Sequence, residues 1–248
     1  MSESTANRRK WWASALLVGA VIGLVCLPLG ALGAKLGIWG FQGGFMLLAV
    51  GTVLAAAVFF LGIIAFVVSV SKKLPSERSA VLVGVAISVV ILALMGSQFM
   101  TAQSVPPIHN ISTDTQDPPA FDKIVALRGE GTNPLEYNAD ELAERQRAAY
   151  PQVQSLITEV PPGEVLNRAV TVLEGMGLEI VDTNAAAGRI EATDTTFWFG
   201  FKDDVVVRVR SEGSGSIVDV RSVSRVGQSD LGKNAERISE FLAGLQAI

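Results

Sequence analysis

Histidine occurs once in the chain, at His109, and Asp114 and Asp117 follow within eight residues. An imidazole beside two carboxylates is a minimal set for a mixed nitrogen and oxygen metal site, or for an acid–base pair. The spacing matches no established ligand motif. Because prolines flank the segment and Ser112 and Thr113 lie inside it, the same side chains could instead cap turns and pin the segment down by hydrogen bonds. Both readings stand at this stage, and no metal or other cofactor is expected.

A second set is cationic. Over residues 203–211 valines at 205, 207 and 209 alternate with Arg208 and Arg210, and over 217–225 Val218 and Val220 alternate with Asp219, Arg221 and Arg225. Side chains of a strand point alternately to its two faces, so pairing the two runs as a hairpin gathers all four arginines on one face, opposite any packed helices. Such a cluster could take a lipid phosphate, a glycan carboxylate or a partner's acidic patch, since guanidinium grips these groups bidentately. The plainer alternative is a solvated face of cross-strand ion pairs, with Asp219 or Glu191 as partners. A third set is aromatic: Phe197, Trp198 and Phe199, with Phe201 beyond Gly200. Four rings within five positions cannot all enter a core, so at least one or two should be exposed, available to a membrane interface or a partner.

The elements that must position these groups can be read from periodicity. A short strand at 156–160 precedes a helix over 163–175, whose Val165, Leu166, Ala169, Val170 and Leu173 recur at helical spacing. Strands follow at 178–182, 189–195, 203–211 and 217–225, separated by turns rich in glycine. A last helix over 230–246 is expected to be capped by Ser229 and to bury Leu231, Ala235, Ile238, Leu242 and Leu245. Residues 151–248 therefore predict an α+β, two-layer domain: an antiparallel sheet with two helices packed on one face. Residues 104–150, broken by Pro106, Pro107, Pro118, Pro119 and Pro134, read as an extended arm with a short polar helix after Asn138.

Ahead of the arm the character changes. Residues 1–103 hold seven Lys/Arg against two Asp/Glu, a net +5, while the remainder carries −9. An acidic soluble half argues against a general phosphate-backbone binder, so nucleic acid is not an expected partner. Residues 11–32, 45–70 and 80–100 are apolar, free of charged side chains and long enough to cross a bilayer. Trp11, Trp12 and Trp39 fall at their ends, as interfacial aromatics should. Arg8, Arg9 and Lys10 precede the first segment and Lys72, Lys73 and Arg78 lie between the second and third, whereas the intervening loop holds only Lys35. The positive-inside rule then places the N-terminus in the cytoplasm and residues 104–248 outside it. The first segment also has a basic start and a small-residue stretch at 30–34, as signal peptides do; cleavage would leave the C-terminal part on the same side. Gly19-xxx-Gly23 allows close helix approach, Pro28 could kink the first helix, and the lone Cys26 can form no intramolecular disulfide.

Three stretches of the second half carry a resemblance. Val105-Pro-Pro-Ile-His-Asn-Ile-Ser-Thr-Asp114 with Asp117-Pro-Pro-Ala-Phe121 is the first. Gly188-Arg-Ile-Glu-Ala-Thr-Asp-Thr-Thr-Phe-Trp-Phe-Gly-Phe201, followed by Asp203-Asp-Val-Val-Val-Arg208, is the second. The third is Val218-Asp-Val-Arg-Ser-Val-Ser-Arg-Val-Gly-Gln-Ser-Asp-Leu-Gly232 with Asn234-Ala235. Together they resemble the bacterial family catalogued as domain of unknown function 1499, with one departure at Asn110, where the family's pattern usually has Asp. The resemblance implies an envelope protein, often with membrane spans ahead of the domain, and names no reaction.

With no nucleophile–base set, phosphate loop or metal-ligand spacing, the sequence favours a binding or scaffold module anchored in the lipid bilayer of the inner membrane. Its partner would be an envelope protein, a lipid headgroup or an anionic glycan. Two other classes stand beside it: an accessory subunit of a larger membrane complex, and an envelope enzyme pairing His109 with a carboxylate.

Overall fold

The computed structural model describes residues 10–247 and divides into two compact units at Met100/Thr101. Arg8 and Arg9, used in the orientation argument, lie outside the described residues.

The first unit consists of α1 (Trp11–Lys35), α2 (Phe41–Ser71) and all but the last four residues of α3 (Pro75–Ser104), and each of these helices is long and apolar enough to cross a membrane. All three run past their uncharged cores into polar residues, because helical hydrogen bonding does not stop where polarity begins. α1 continues unbroken through Pro28. Backbone approach between α1 and α2 depends on glycine: a Cβ on Gly30 would lie 2.7 Å from the Gly44 carbonyl oxygen, and one on Gly51 2.7 Å from that of Gly23. Gly23 of the small-residue motif is thus at a helix crossing, while Gly19 meets the Val58 side chain. Trp39 is not simply an end-of-segment ring. Its Nε1 donates to the Gly30 carbonyl at 3.1 Å and its ring lies where any side chain on Gly33 would sit.

The second unit is built on a six-stranded antiparallel sheet. Its elements are β1 (Asn110–Ser112), a 3-10 turn (Ile124–Leu127), α4 (Ala139–Ala149), β2 (Leu156–Thr158), α5 (Pro162–Gly175), β3 (Glu179–Asn184), β4 (Arg189–Thr195), β5 (Lys202–Glu212), β6 (Gly215–Ser224) and α6 (Lys233–Ala247). The order is β1-β6-β5-β4-β3, and β2 pairs with the start of β6, so β1 and β2 follow one another along a single edge. The β5–β6 hairpin turns in two residues, Gly213-Ser214, with Gly213 at φ 58 as this tight connection requires. Gly215 admits β2, since a Cβ there would lie 2.1 Å from the Thr158 carbonyl oxygen.

One face of the sheet presents Ile190, Ala192, Val205, Val207, Val209, Val218 and Val220 to α5 and α6, whose Leu166, Ala169, Leu173, Ile238, Phe241 and Leu245 complete the core. The α+β arrangement with two helices on one face is therefore present. Several boundaries and caps differ from expectation. β1 emerges inside the proline-rich arm, where three residues suffice because β6 supplies the ladder. α6 begins at Lys233, since Leu231 takes φ 57, outside helical geometry. The carboxylate that caps it is Asp230, accepting from the backbone N–H groups of Gly232 (2.8 Å) and Asn234 (2.6 Å), while Ser229 Oγ accepts only from Leu231. Asn138 starts α4 through its backbone carbonyl and makes no side-chain cap.

Candidate functional site

The second face of the sheet carries the charged residues. Register places Arg208 opposite Asp219 and Arg189, Val206 opposite Arg221 and Glu191, and Asp204 opposite Thr193, so these side chains share one surface. Arg225, one residue beyond β6, follows the same alternation. This face is not solvated. Residues 113–138 cross it, and Asp204, Asp219 and Glu191 are fully buried.

Asp219 accepts from Arg208 Nε (3.1 Å) and Nη2 (3.0 Å), from Arg210 Nη2 (2.7 Å) and from Ser155 Oγ (2.6 Å). Arg208 also reaches the arm, donating to Asp117 Oδ2 (2.8 Å), the Asp117 carbonyl (2.7 Å) and Asp114 Oδ2 (3.2 Å). Asp114 turns the arm locally, its Oδ1 accepting from the N–H groups of Gln116 and Asp117. Two guanidiniums thus face three carboxylates, which leaves little positive potential for an external anion.

Arg221 is met differently. Its Nε donates to Asn110 Oδ1 (3.0 Å), Nη1 to the Pro119 carbonyl (3.2 Å) and Nη2 to the Leu135 carbonyl. The Phe121 and Tyr137 rings lie 5.4 and 5.7 Å from its guanidinium carbon. Burial pulls this guanidinium down to about 10, still far enough above neutrality to keep it charged. Burial likewise pushes the Tyr137 phenol up to about 12.

Asp204 collects Arg225, through Nε and Nη2, Arg128 Nη1 (2.5 Å) and Thr193 Oγ1 (3.0 Å). Both arginines continue to backbone carbonyls of the arm, Arg225 to Leu127 (3.1 Å) and Arg128 to Asn133 (2.6 Å). Burial lowers the Arg128 pKa against the opposing pull of Asp204. Glu191 works in the opposite sense, accepting from the N–H groups of Asp122 and Ile124. At the first strand, Gln146 of α4 bonds the N–H (3.0 Å) and carbonyl (2.6 Å) of Ser112.

His109, Asp114 and Asp117 do not form one site. The two aspartates turn toward Arg208, whereas His109 contributes its carbonyl, accepting from Ser224 N–H (3.0 Å) and Asn234 Nδ2 (3.0 Å). Among the described residues no group of three His, Cys, Asp or Glu side chains is placed to hold a metal ion. Within this segment Asp114 and Asp117 bond Arg208, and Thr113 Oγ1 accepts from the Val220 N–H (2.8 Å). Phe197 and Trp198 stand at the β4–β5 tip, 72% and 56% exposed, in an edge-to-face pair at 5.2 Å; Phe199 and Phe201 stack at 5.1 Å beside them.

Sequence reasoning missed a network on the helix-covered face. Arg237 of α6 donates to Asp194 (2.5 Å), Asp203 (2.7 Å), Asn234 Oδ1 (2.7 Å) and Ser222 Oγ (3.1 Å). Although burial opposes it, Asp203 and Asp194 raise the Arg237 pKa. A signal was present: Asn234 and Arg237 flank Ala235, Ile238 and Phe241 on the buried stripe of α6.

Comparison with known proteins adds a family and no activity. No curated protein matches the sequence. Among solved structures, Ara h 8.0201 aligns with 38% of this chain and 93% of its own at 11% identity and a TM-score of 0.29. TTHA0849 from Thermus thermophilus aligns with 38% and 92% at 16% identity and a TM-score of 0.24. Scores of this size establish no shared fold. A family model matches residues 110–245, starting on the first residue of β1 and ending on Leu245, a buried residue of α6. The matched unit therefore includes the arm as well as the sheet and its helices, and the chain belongs to the family described as protein of unknown function DUF1499.

Proposed function

We propose that this protein is an integral membrane protein that presents a rigid binding or scaffold domain outside the cytoplasm, in the cell envelope. The observation that carries the reading is the use made of the charged residues. The charged groups on the sheet face opposite α5 and α6 are spent on cross-linking the arm, which suits a body that must hold its shape rather than turn over a substrate. The basic flanks support the orientation: Lys10, Lys72, Lys73 and Arg78 lie at the ends assigned to the cytoplasm, against Lys35 at the other.

Single-cysteine labelling tests the orientation. In a Cys26→Ala background, Ser214→Cys in the β5–β6 turn should react with a membrane-impermeant maleimide in cells whose inner membrane is intact. Ser71→Cys at the end of α2 should react only after that membrane is permeabilised. The reverse pattern overturns the proposed side. Native mass spectrometry of the full chain, gently solubilised from its own membrane, tests the binding role: a retained subunit, lipid or glycan supports it, and a bare mass counts against a stable complex.

A further inference from the structure

The aromatic tip and the connection from α3 lie at the same end of the sheet. β6 runs toward Ser224, whose N–H donates to the carbonyl of His109, so the chain entering from α3 arrives beside the last residue of β6. The next residue, Arg225, donates its backbone N–H to Lys202, the first residue of β5, which pairs with Thr195 to close the β4–β5 hairpin. Arg225 Nη1 also holds the Leu127 carbonyl. Among the described residues of the second unit, the large exposed apolar side chains are Val125, Leu127, Ile157, Phe197 and Trp198. All except Ile157 belong to the two segments just placed at the end where the tether enters.

The tether is short. Five residues separate Ser104, the end of α3, from Asn110 in β1, a reach of about 20 Å at full extension. The tether therefore keeps this end of the sheet within covalent reach of the end of α3. We infer that the β4–β5 tip, with Leu127 beside it, inserts Phe197 and Trp198 into the interfacial layer of the bilayer that α1, α2 and α3 cross. This inference rests on the membrane reading above and adds the partner of this surface.

The local construction suits that task. Residues 195–201 contain no charged side chain, so entry desolvates no ion. The turn is already closed by its own hydrogen bonds, Thr196 N–H to the Phe201 carbonyl (2.8 Å), Gly200 N–H to the Thr196 carbonyl (3.0 Å) and Phe201 N–H to Thr196 Oγ1 (2.9 Å). The loop is thus ordered before it meets the bilayer. Trp favours the interface because its ring is apolar and its N–H can remain in contact with water or headgroups. Burying one aromatic side chain of this size shifts a partition equilibrium by roughly ten- to a hundredfold.

The test uses the full chain in phosphatidylcholine vesicles that contain a lipid nitroxide-labelled near the headgroup end of its acyl chain. In the Cys26→Ala background an environment-sensitive fluorophore is placed singly at Phe197→Cys, at Ser214→Cys on the opposite end of the sheet, or at Val90→Cys on the exposed flank of α3. The label at 197 should be quenched by lipid nitroxide several-fold more than that at 214, and by aqueous iodide several-fold less. Aqueous accessibility at 197 equal to that at 214 overturns the inference. So does shielding from both quenchers, which would assign the tip to a protein surface of this chain or of a second copy. Lipid quenching at position 90 separates the two levels: if it fails, the membrane reading itself falls, and if it holds while 197 fails, only the insertion of the tip is lost.

Discussion

Replacing Arg221 by methionine should release the arm while leaving the sheet intact. The guanidinium makes hydrogen bonds to three acceptors of the arm, Asn110 Oδ1 and the Pro119 and Leu135 carbonyls, and lies between two aromatic rings. Hydrogen bonds from a charged donor contribute about 1.5–3 kcal/mol each, so the gross loss is about 5–9 kcal/mol. Against this, no carboxylate of the described residues forms a salt bridge with Arg221, and removing so poorly solvated a cation recovers several kcal/mol. Methionine also keeps most of the volume and the contact with the rings. A net cost of about 2–4 kcal/mol remains, or about thirtyfold to a thousandfold in the opening equilibrium of the arm. Hydrogen exchange on the full chain in detergent, read by mass spectrometry of arm peptides, measures that equilibrium. Protection over 119–137 should fall by the stated factor while β5 and β6 change little. Arg221→Lys should lose at least as much, because an ammonium retains the buried charge without the fork. Unchanged protection in the methionine variant would refute the clamp, and an equal loss in β5 would show that the arm and sheet open as one.

Three further outcomes follow from the same structure. Asp219→Asn leaves Arg208 and Arg210 against a neutral amide in a fully buried position, and should lower the stability of the domain by about 3–5 kcal/mol in denaturant titrations. Gly51→Ala places a methyl group 2.7 Å from the Gly23 carbonyl oxygen and should lower the thermal midpoint in detergent, with a cost of about 1–3 kcal/mol, whereas Gly96→Ala, with nothing within 4 Å, should not. The raised pKa of Tyr137 means that the folded state holds its phenolic proton more tightly than the unfolded state, so this stabilisation is complete below about pH 10. It should fade as pH rises toward 12, and Tyr137→Phe should flatten that part of the pH–stability curve.

The helices and the principal strands were legible because their signal is periodic and local. Val205, Val207 and Val209 announce one buried face at a period of two, and Val165, Leu166, Ala169 and Leu173 announce a helix stripe. The same alternation gathered Arg208, Arg210, Arg221 and Arg225 on one face. It could not say what covers them, because the covering segment, residues 113–138, has almost no regular structure and so no period to detect. β1 was illegible for a related reason: a three-residue strand owes its existence to the edge of β6, more than a hundred residues away. Arg237 was hidden by its residue type, since a charged side chain beside an apolar stripe reads as exposed until Asp194 and Asp203 are known to reach it from β4 and β5.

Buried ion pairs are often replaceable by apolar residues without loss, which raises the question of why this sheet keeps so many. The answer lies in what the arm needs. An irregular segment buried on a sheet face cannot satisfy its own N–H and carbonyl groups, and each one left unpaired costs about 1–3 kcal/mol. The charged side chains supply the missing partners by type. Arginine, with donors only, serves carbonyls: Arg221 those of Pro119 and Leu135, Arg225 that of Leu127, Arg128 that of Asn133 and Arg208 that of Asp117. Glutamate, with acceptors only, serves amides: Glu191 those of Asp122 and Ile124. Asp204 then neutralises Arg128 and Arg225, and Asp219 neutralises Arg208, from within the sheet, while Arg221 lies against the rings of Phe121 and Tyr137. Leucine in place of Arg128 or Arg225 would fill the space and still strand the carbonyls above it. The network therefore belongs to the backbone of the arm, and the arm together with the sheet is the unit that must be kept whole when the domain is truncated, swapped or redesigned.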